Sequence, residues 1–143
     1  MLRQHAIERT RAHDSDVEIW SILPSARSEC VTLATLLTPI WECYLAVLDF
    51  TSALDSGPMR ERDFVDGALV EAERYVDHGT ITRPEGVSVV TVENAMKLSI
   101  DFGVLRRDGA RLSIGDTSAR DRLARSLGLH LTANAVETGS GAA

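Results

Sequence analysis

The sequence predicts a mainly α-helical domain that contains a winged-helix-like helix–helix–β-hairpin unit. Three observations predict this fold. Apolar residues recur at three- and four-residue steps in Leu33–Leu54 and again in Glu61–His78, which is the period of helices with one buried face. A third short helix then precedes Val104–Ile114, where Asp108-Gly109 separates two alternating runs. Such a pair between alternating runs is typical of a β-hairpin.

The most apolar part of the chain predicts a buried helix. From Cys30 to Leu48 the only charged side chain is Glu42, and Pro39 interrupts the run. This stretch is slightly shorter than the roughly 20 apolar residues of a membrane span. Its leucine spacing favours a core helix bent at Pro39. Contact with a membrane interface is the second interpretation.

Two further helices follow a Ser-Gly-Pro break. The first is predicted over Glu61–His78, with Gly79 as its left-handed C′ residue. Either Ser88 or Thr91 is predicted to cap the second, which ends at Gly103.

The hairpin carries three arginines. Asp108 and Gly109 are predicted to be the central residues of a type I′ turn, since both must take positive φ. The apolar strand residues would face the helices. Arg106, Arg107 and Arg111 would face solvent.

This pattern predicts a simple domain organisation. Residues 1–29 form a polar leader, partly ordered, either as a frayed helix or as another ordered segment. Residues 30–131 form one helical domain, with the winged-helix-like part at 60–115 and a last helix over Thr117–Leu129. Residues 132–143 are small and polar, which predicts a disordered tail.

Composition narrows the function classes. The formal charge of −6 argues against broad nucleic-acid binding, which depends on Lys and Arg neutralising phosphates. Cys30 and Cys43 would lie about 20 Å apart on one helix, too far for a disulfide. We therefore expect buried free thiols, a reducing compartment and a cytoplasmic location, since the polar N-terminus lacks a secretory signal.

No cofactor or metal site is predicted. His5, His78 and His130 have no Cys or His partner at ligand spacing, so zinc is not indicated. The acidic stretch Asp14–Glu18 lacks the glycine turn and the number of oxygens of a calcium loop.

One residue pair could support catalysis. His13 precedes Glu18 by five positions, the layout in which a histidine takes a proton and a carboxylate orients its ring. Acyltransferases with this layout have Asp in the acid position, and the neighbouring residues differ here. A chance spacing in a polar leader is the favoured interpretation.

Several motifs in order resemble one family. They are Leu36–Tyr44 (LLTPIWECY), Arg62–Val65, Gly79–Glu85 (GTITRPE), Val92–Leu98 (VENAMKL) and Asp101–Leu105 (DFGVL). Over about residues 30–115 the chain is similar to the C-terminal region of the glycerol-3-phosphate and dihydroxyacetone-phosphate acyltransferase family.

The resemblance implies a lipid-synthesis context, an acyl donor and peripheral membrane association. The family's catalytic histidine dyad and its Glu-Gly-Thr-Arg-Ser loop lie upstream of this region, so no catalytic residue carries over. Arg83-Pro84-Glu85-Gly86 is similar to that loop only in part, since Val87 replaces its threonine and the phosphate-binding arginine is missing.

Three hypotheses follow. The first is a non-catalytic accessory domain that contacts an acyltransferase chain, an acyl carrier or an anionic membrane through Trp41, Tyr44, Arg106, Arg107 and Arg111. The second is a winged-helix module for protein or DNA contact; its second helix carries only one cation, Lys97, so the nucleic-acid signal is weak. The third is a minimal acyltransferase that uses His13 and Glu18.

Overall fold

The computed structural model describes residues 7–11 and 18–139, and the chain divides after Leu36 into two compact units. Helix α1 runs through this boundary from Arg27 to Phe50. It begins three residues before the predicted start at Cys30 and includes Pro39 in its interior.

The first unit contains an antiparallel hairpin. Strands β1 (Ile7–Arg11) and β2 (Glu18–Ile22) pair so that Ile7 lies opposite Ile22. A 3₁₀ turn at Pro24–Ala26 then leads into α1. Residues 7–11 and 18–22 of the predicted leader are thus strands and not a frayed helix, because residues such as Ile19 and Trp20 favour extended backbone.

The second unit holds the remaining elements. After α1 come a 3₁₀ turn, strand β3, helices α2 and α3 joined through a further 3₁₀ turn, strands β4 and β5, and helix α4. Their bounds are Thr51–Ser56, Met59–Arg60 (β3), Glu61–Asp77 (α2), Pro84–Gly86, Val89–Asp101 (α3), Leu105–Asp108 (β4), Arg111–Ile114 (β5) and Thr117–Gly139 (α4). The mainly helical domain with a β-hairpin is confirmed.

The helix ends follow the predicted chemistry. Gly79, with φ of 73°, terminates α2, and its N–H and that of Thr80 bond to the last carbonyls of the helix. Ser88 caps α3, since its hydroxyl accepts from the N–H of Thr91 at 3.2 Å.

The three-stranded sheet has the order β3-β5-β4, all antiparallel. Asp108 pairs with Arg111, so the turn residues are Gly109 and Ala110, not Asp108 and Gly109 as predicted. Among the described non-glycine residues none has positive φ, and Gly109 has φ of 57°. Positive φ at the first central residue alone is the type II′ pattern and corrects the predicted type I′ turn.

Two apolar clusters hold the second unit together. The larger joins α1, α2, α3 and the hairpin around fully buried side chains: Val47, Phe64, Val92, Met96 and Leu112. The smaller packs α4 against α1 and the start of the hairpin through Leu48, Val104, Ala119, Leu123 and Leu127.

Helix α4 is longer than predicted. It continues from the predicted end at Leu129 to Gly139, so residues 132–139 are helical, a correction to the predicted tail 132–143. The chain has no Gly or Pro between Leu129 and Thr138 to end the helix. Residues 140–143 lie outside the described residues, and their predicted disorder stays a prediction.

Candidate functional site

Glu42 on α1 binds the connection between α2 and α3, defined here as Gly79–Gly86. The Thr82 N–H donates to Oε2 at 3.0 Å, and the Thr82 hydroxyl donates to Oε1 at 2.7 Å. The Arg83 N–H donates to Oε2 at 3.1 Å. Both carboxylate oxygens therefore hold loop donors, and the lone charge of the apolar stretch positions the connection.

Gly86 packs directly onto Pro39. A Cβ atom built on Gly86 would lie 2.7 Å from Pro39 Cβ and closer still to the Pro39 carbonyl. Both residues are buried. Only a residue without a side chain allows this approach of the two backbones. The connection is thus fixed to α1 at Thr82–Arg83 and at Gly86, whereas Arg83, Pro84 and Glu85 are exposed.

Cys43, one helical turn beyond Pro39, is enclosed in the core. Its exposed fraction is 0%, and burial raises the pKa of its thiol to about 11. The thiol is therefore protonated at neutral pH and is a poor nucleophile. Cys30 is also a free cysteine, but it is half-buried and not fully buried as predicted.

The sheet register brings three arginines to one face. Side chains opposite each other in an antiparallel sheet share a face, and alternate residues along a strand return to it. Arg60 lies opposite Arg111, Arg111 lies opposite Asp108, and Ser113 lies opposite Arg106. We call these five residues the outer sheet face.

Arg107 lies on the other side of the sheet. It is opposite Leu112, which is fully buried, and its guanidinium forms an ion pair with Glu61 at 3.0 Å. The predicted group of Arg106, Arg107 and Arg111 therefore does not share one face, since neighbouring strand residues alternate. Sequence analysis missed Arg60, whose two-residue strand has no periodic signal.

Trp41 and Tyr44 are half-buried. Their rings meet edge-on with centroids 5.6 Å apart and pack against the smaller apolar cluster. Their contact with a partner chain or a lipid stays a prediction. The large apolar side chains that α1 exposes are Leu33, Leu36 and Leu37, with 46%, 66% and 40% of their surface accessible.

The His13–Glu18 pair stays a prediction. Glu18 begins β2, whereas His13 lies outside the described residues, as do Asp14 and Asp16. Within the part of the chain that the structure describes, no group of three His, Cys, Asp or Glu residues could hold a metal ion.

One described helical segment, Arg27–Ser56, is long and apolar enough to cross a membrane by length and composition. Its second half contributes Cys43, Ala46 and Val47 to the larger cluster. Only 28% of its most apolar stretch is buried, and the buried residues of α1 lie between Pro39 and Leu48. The predicted buried helix is therefore correct only for its second half.

The fold and these contacts define the class of protein. It is a helical domain in which α1, the α2–α3 connection and a β-hairpin contribute to one core. A family model of the glycerol-3-phosphate acyltransferase C-terminal region matches residues 1–108, about three quarters of the chain. The chain belongs to this family, and the predicted resemblance is confirmed. No curated protein and no solved structure matches the chain.

Proposed function

We propose that the chain is a non-catalytic accessory domain of a glycerol-3-phosphate acyltransferase-like protein in phospholipid synthesis. It docks on an acyltransferase catalytic chain through Leu33 and Leu36 of α1. The observation that carries this proposal is the exposure of these two leucines on a helix inside the family match.

The two leucines suit a protein contact. Three positions apart on a helix, they lie on the same side. Burying a fully exposed leucine contributes about 1.5–3 kcal/mol, and these two are 46% and 66% exposed, so together they contribute about 2–3 kcal/mol to an association. A catalytic chain is the natural partner, because the matched region is by its description one part of an acyltransferase.

The family motifs support an accessory role over a catalytic one. Glu42 is occupied by Thr82 and Arg83, and Gly86 is packed against Pro39. These residues build the domain and offer no nucleophile. The minimal acyltransferase with His13 and Glu18 is the competing hypothesis.

The docking test uses purified components. The full chain is titrated into a glycerol-3-phosphate acyltransferase catalytic chain from the same source, followed by calorimetry. The variant L33S/L36S should weaken the complex at least about 30-fold, given roughly 1 kcal/mol or more lost per leucine. The control V70S/V90S changes two valines that are each 64% exposed on α2 and α3 and should bind like the wild type.

Two results would overturn the proposal. One is equal affinity of wild type and L33S/L36S for the catalytic chain. The other is acyl transfer to glycerol 3-phosphate by the chain alone that is lost in H13A, which would establish the minimal acyltransferase instead. Circular dichroism of each variant shows that the fold is intact.

A further inference from the structure

We propose that the outer sheet face, with Arg60, Arg106 and Arg111, binds the anionic phospholipid surface of a membrane. This surface is separate from the leucines of the docking proposal and is tested independently. It carries three cations and one anion, Asp108, on a chain whose formal charge is −6. A local positive field on an acidic chain favours one anionic partner at this face.

The register leaves an excess of positive charge on this face, because Asp108 lies opposite Arg111 and can offset only one of the three arginines. Arg60 and Arg111 are directly opposite each other, and like charges in opposite positions destabilise a sheet. Arg106 lies diagonally across from Arg111, within reach of a long side chain. Among the described residues, none of the three forms an ion pair, whereas Arg107 on the other side pairs with Glu61.

Phosphate is the anion that suits three neighbouring guanidinium groups. Each presents a planar fork of donors that can bind two phosphate oxygens at once. A phosphate placed between Arg60 and Arg111 turns their repulsion into attraction. Binding of this phosphate leaves the backbone hydrogen bonds between β3 and β5 unchanged, since the two arginine side chains point away from the core.

The shape of the face favours a lipid surface over a small soluble phosphate. Of two shallow depressions beside the sheet, one is lined by Arg60 and the other by Arg106, and neither is lined by all three arginines. Exposed arginines on an open sheet can each contact a different phosphate group of a flat membrane surface.

The test is flotation of the full chain with vesicles of phosphatidylcholine mixed with phosphatidylglycerol, and with phosphatidylcholine alone. Each arginine near an anionic membrane contributes about fivefold in affinity, so R60Q/R106Q/R111Q should bind the mixed vesicles about 100-fold more weakly. Binding should also fall as salt rises, because salt screens exposed charges.

Two controls isolate the face. The variant R74Q/R122Q/R125Q removes the same charge from exposed arginines on α2 and α4 and should bind within about twofold of the wild type. The neighbours R106Q and R107Q form a matched pair on one strand. Only R106Q should weaken binding, by about fivefold.

Several outcomes would overturn the proposal. They are no preference of the wild type for phosphatidylglycerol, equal losses in both triple variants, or equal losses in R106Q and R107Q. Displacement by inorganic phosphate or glycerol 3-phosphate at constant ionic strength would assign the face to a small phosphate. Arginine-dependent binding of DNA or an acidic protein, without vesicle binding, would assign it to that macromolecule.

Discussion

The contact between Gly86 and Pro39 allows a sharp test of how the connection is held. In G86A the new Cβ would lie 2.7 Å from Pro39 Cβ and nearer still to the Pro39 carbonyl. Separations under 3.0 Å essentially do not occur at real Cβ atoms, so one of the two backbones must move. Overpacking of this kind costs about 1–3 kcal/mol, partly offset by about 0.5 kcal/mol from the stiffer unfolded chain. We expect the free energy of unfolding to fall by about 0.5–2.5 kcal/mol.

The assay is urea unfolding followed by far-ultraviolet circular dichroism, with thermal unfolding as a second measure. A chain of this size loses about 2–4 °C of Tm per kcal/mol. The matched control is G128A in the interior of α4, where a Cβ meets nothing within 4 Å. There the same substitution should stabilise the helix by about 0.5–1 kcal/mol. If G86A were as stable as the wild type, the close packing of the connection on α1 would be refuted.

Two further predictions concern named polar groups. E42A removes the acceptor of Thr82 and Arg83 and should lower the free energy of unfolding by about 1–3 kcal/mol; an unchanged urea midpoint would mean that the connection does not depend on Glu42. Burial, and then the hydrogen bond from its hydroxyl to Asp49 at 2.8 Å, raise the pKa of Tyr75 from 10.0 to about 12, while burial raises the pKa of Cys43 from 9.0 to about 11. Each group loses its proton at a lower pH in the unfolded chain than in the folded one, so the free energy of unfolding should fall as pH rises from about 9 to 12. In Y75F this fall should be smaller above pH 10. A pH profile that Y75F leaves unchanged would show that Tyr75 does not cause it.

Local signals predicted most of the helices and their ends. Gly79 and Ser88 act within one turn of their own position, so their roles follow from backbone chemistry alone. The alternation around Gly109 likewise predicted a hairpin there. It did not fix the turn residues, and a shift of one position changes which strand residues are opposite each other.

The candidate surfaces were predicted only in part. Arg106 and Arg111 belong to the outer sheet face, but Arg107 is on the other side and Arg60 joins from a strand some fifty residues earlier in the chain. The apolar pattern of α1 did not distinguish Trp41 and Tyr44, which pack inward, from Leu33 and Leu36, which are exposed. Periodicity shows that a helix has an apolar side and leaves open how far neighbouring elements cover it.

The sequence by itself determined the mainly helical class, the order of two helices and a hairpin, and the family, because these depend on local periodicity, capping residues and ordered motifs. Only the tertiary structure decided that Glu42 binds Thr82 and Arg83, that Gly86 meets Pro39 and that Arg60 lies opposite Arg111. Each of these pairs joins residues about forty to fifty positions apart. Such pairs form only when the whole chain packs, so no local pattern specifies them.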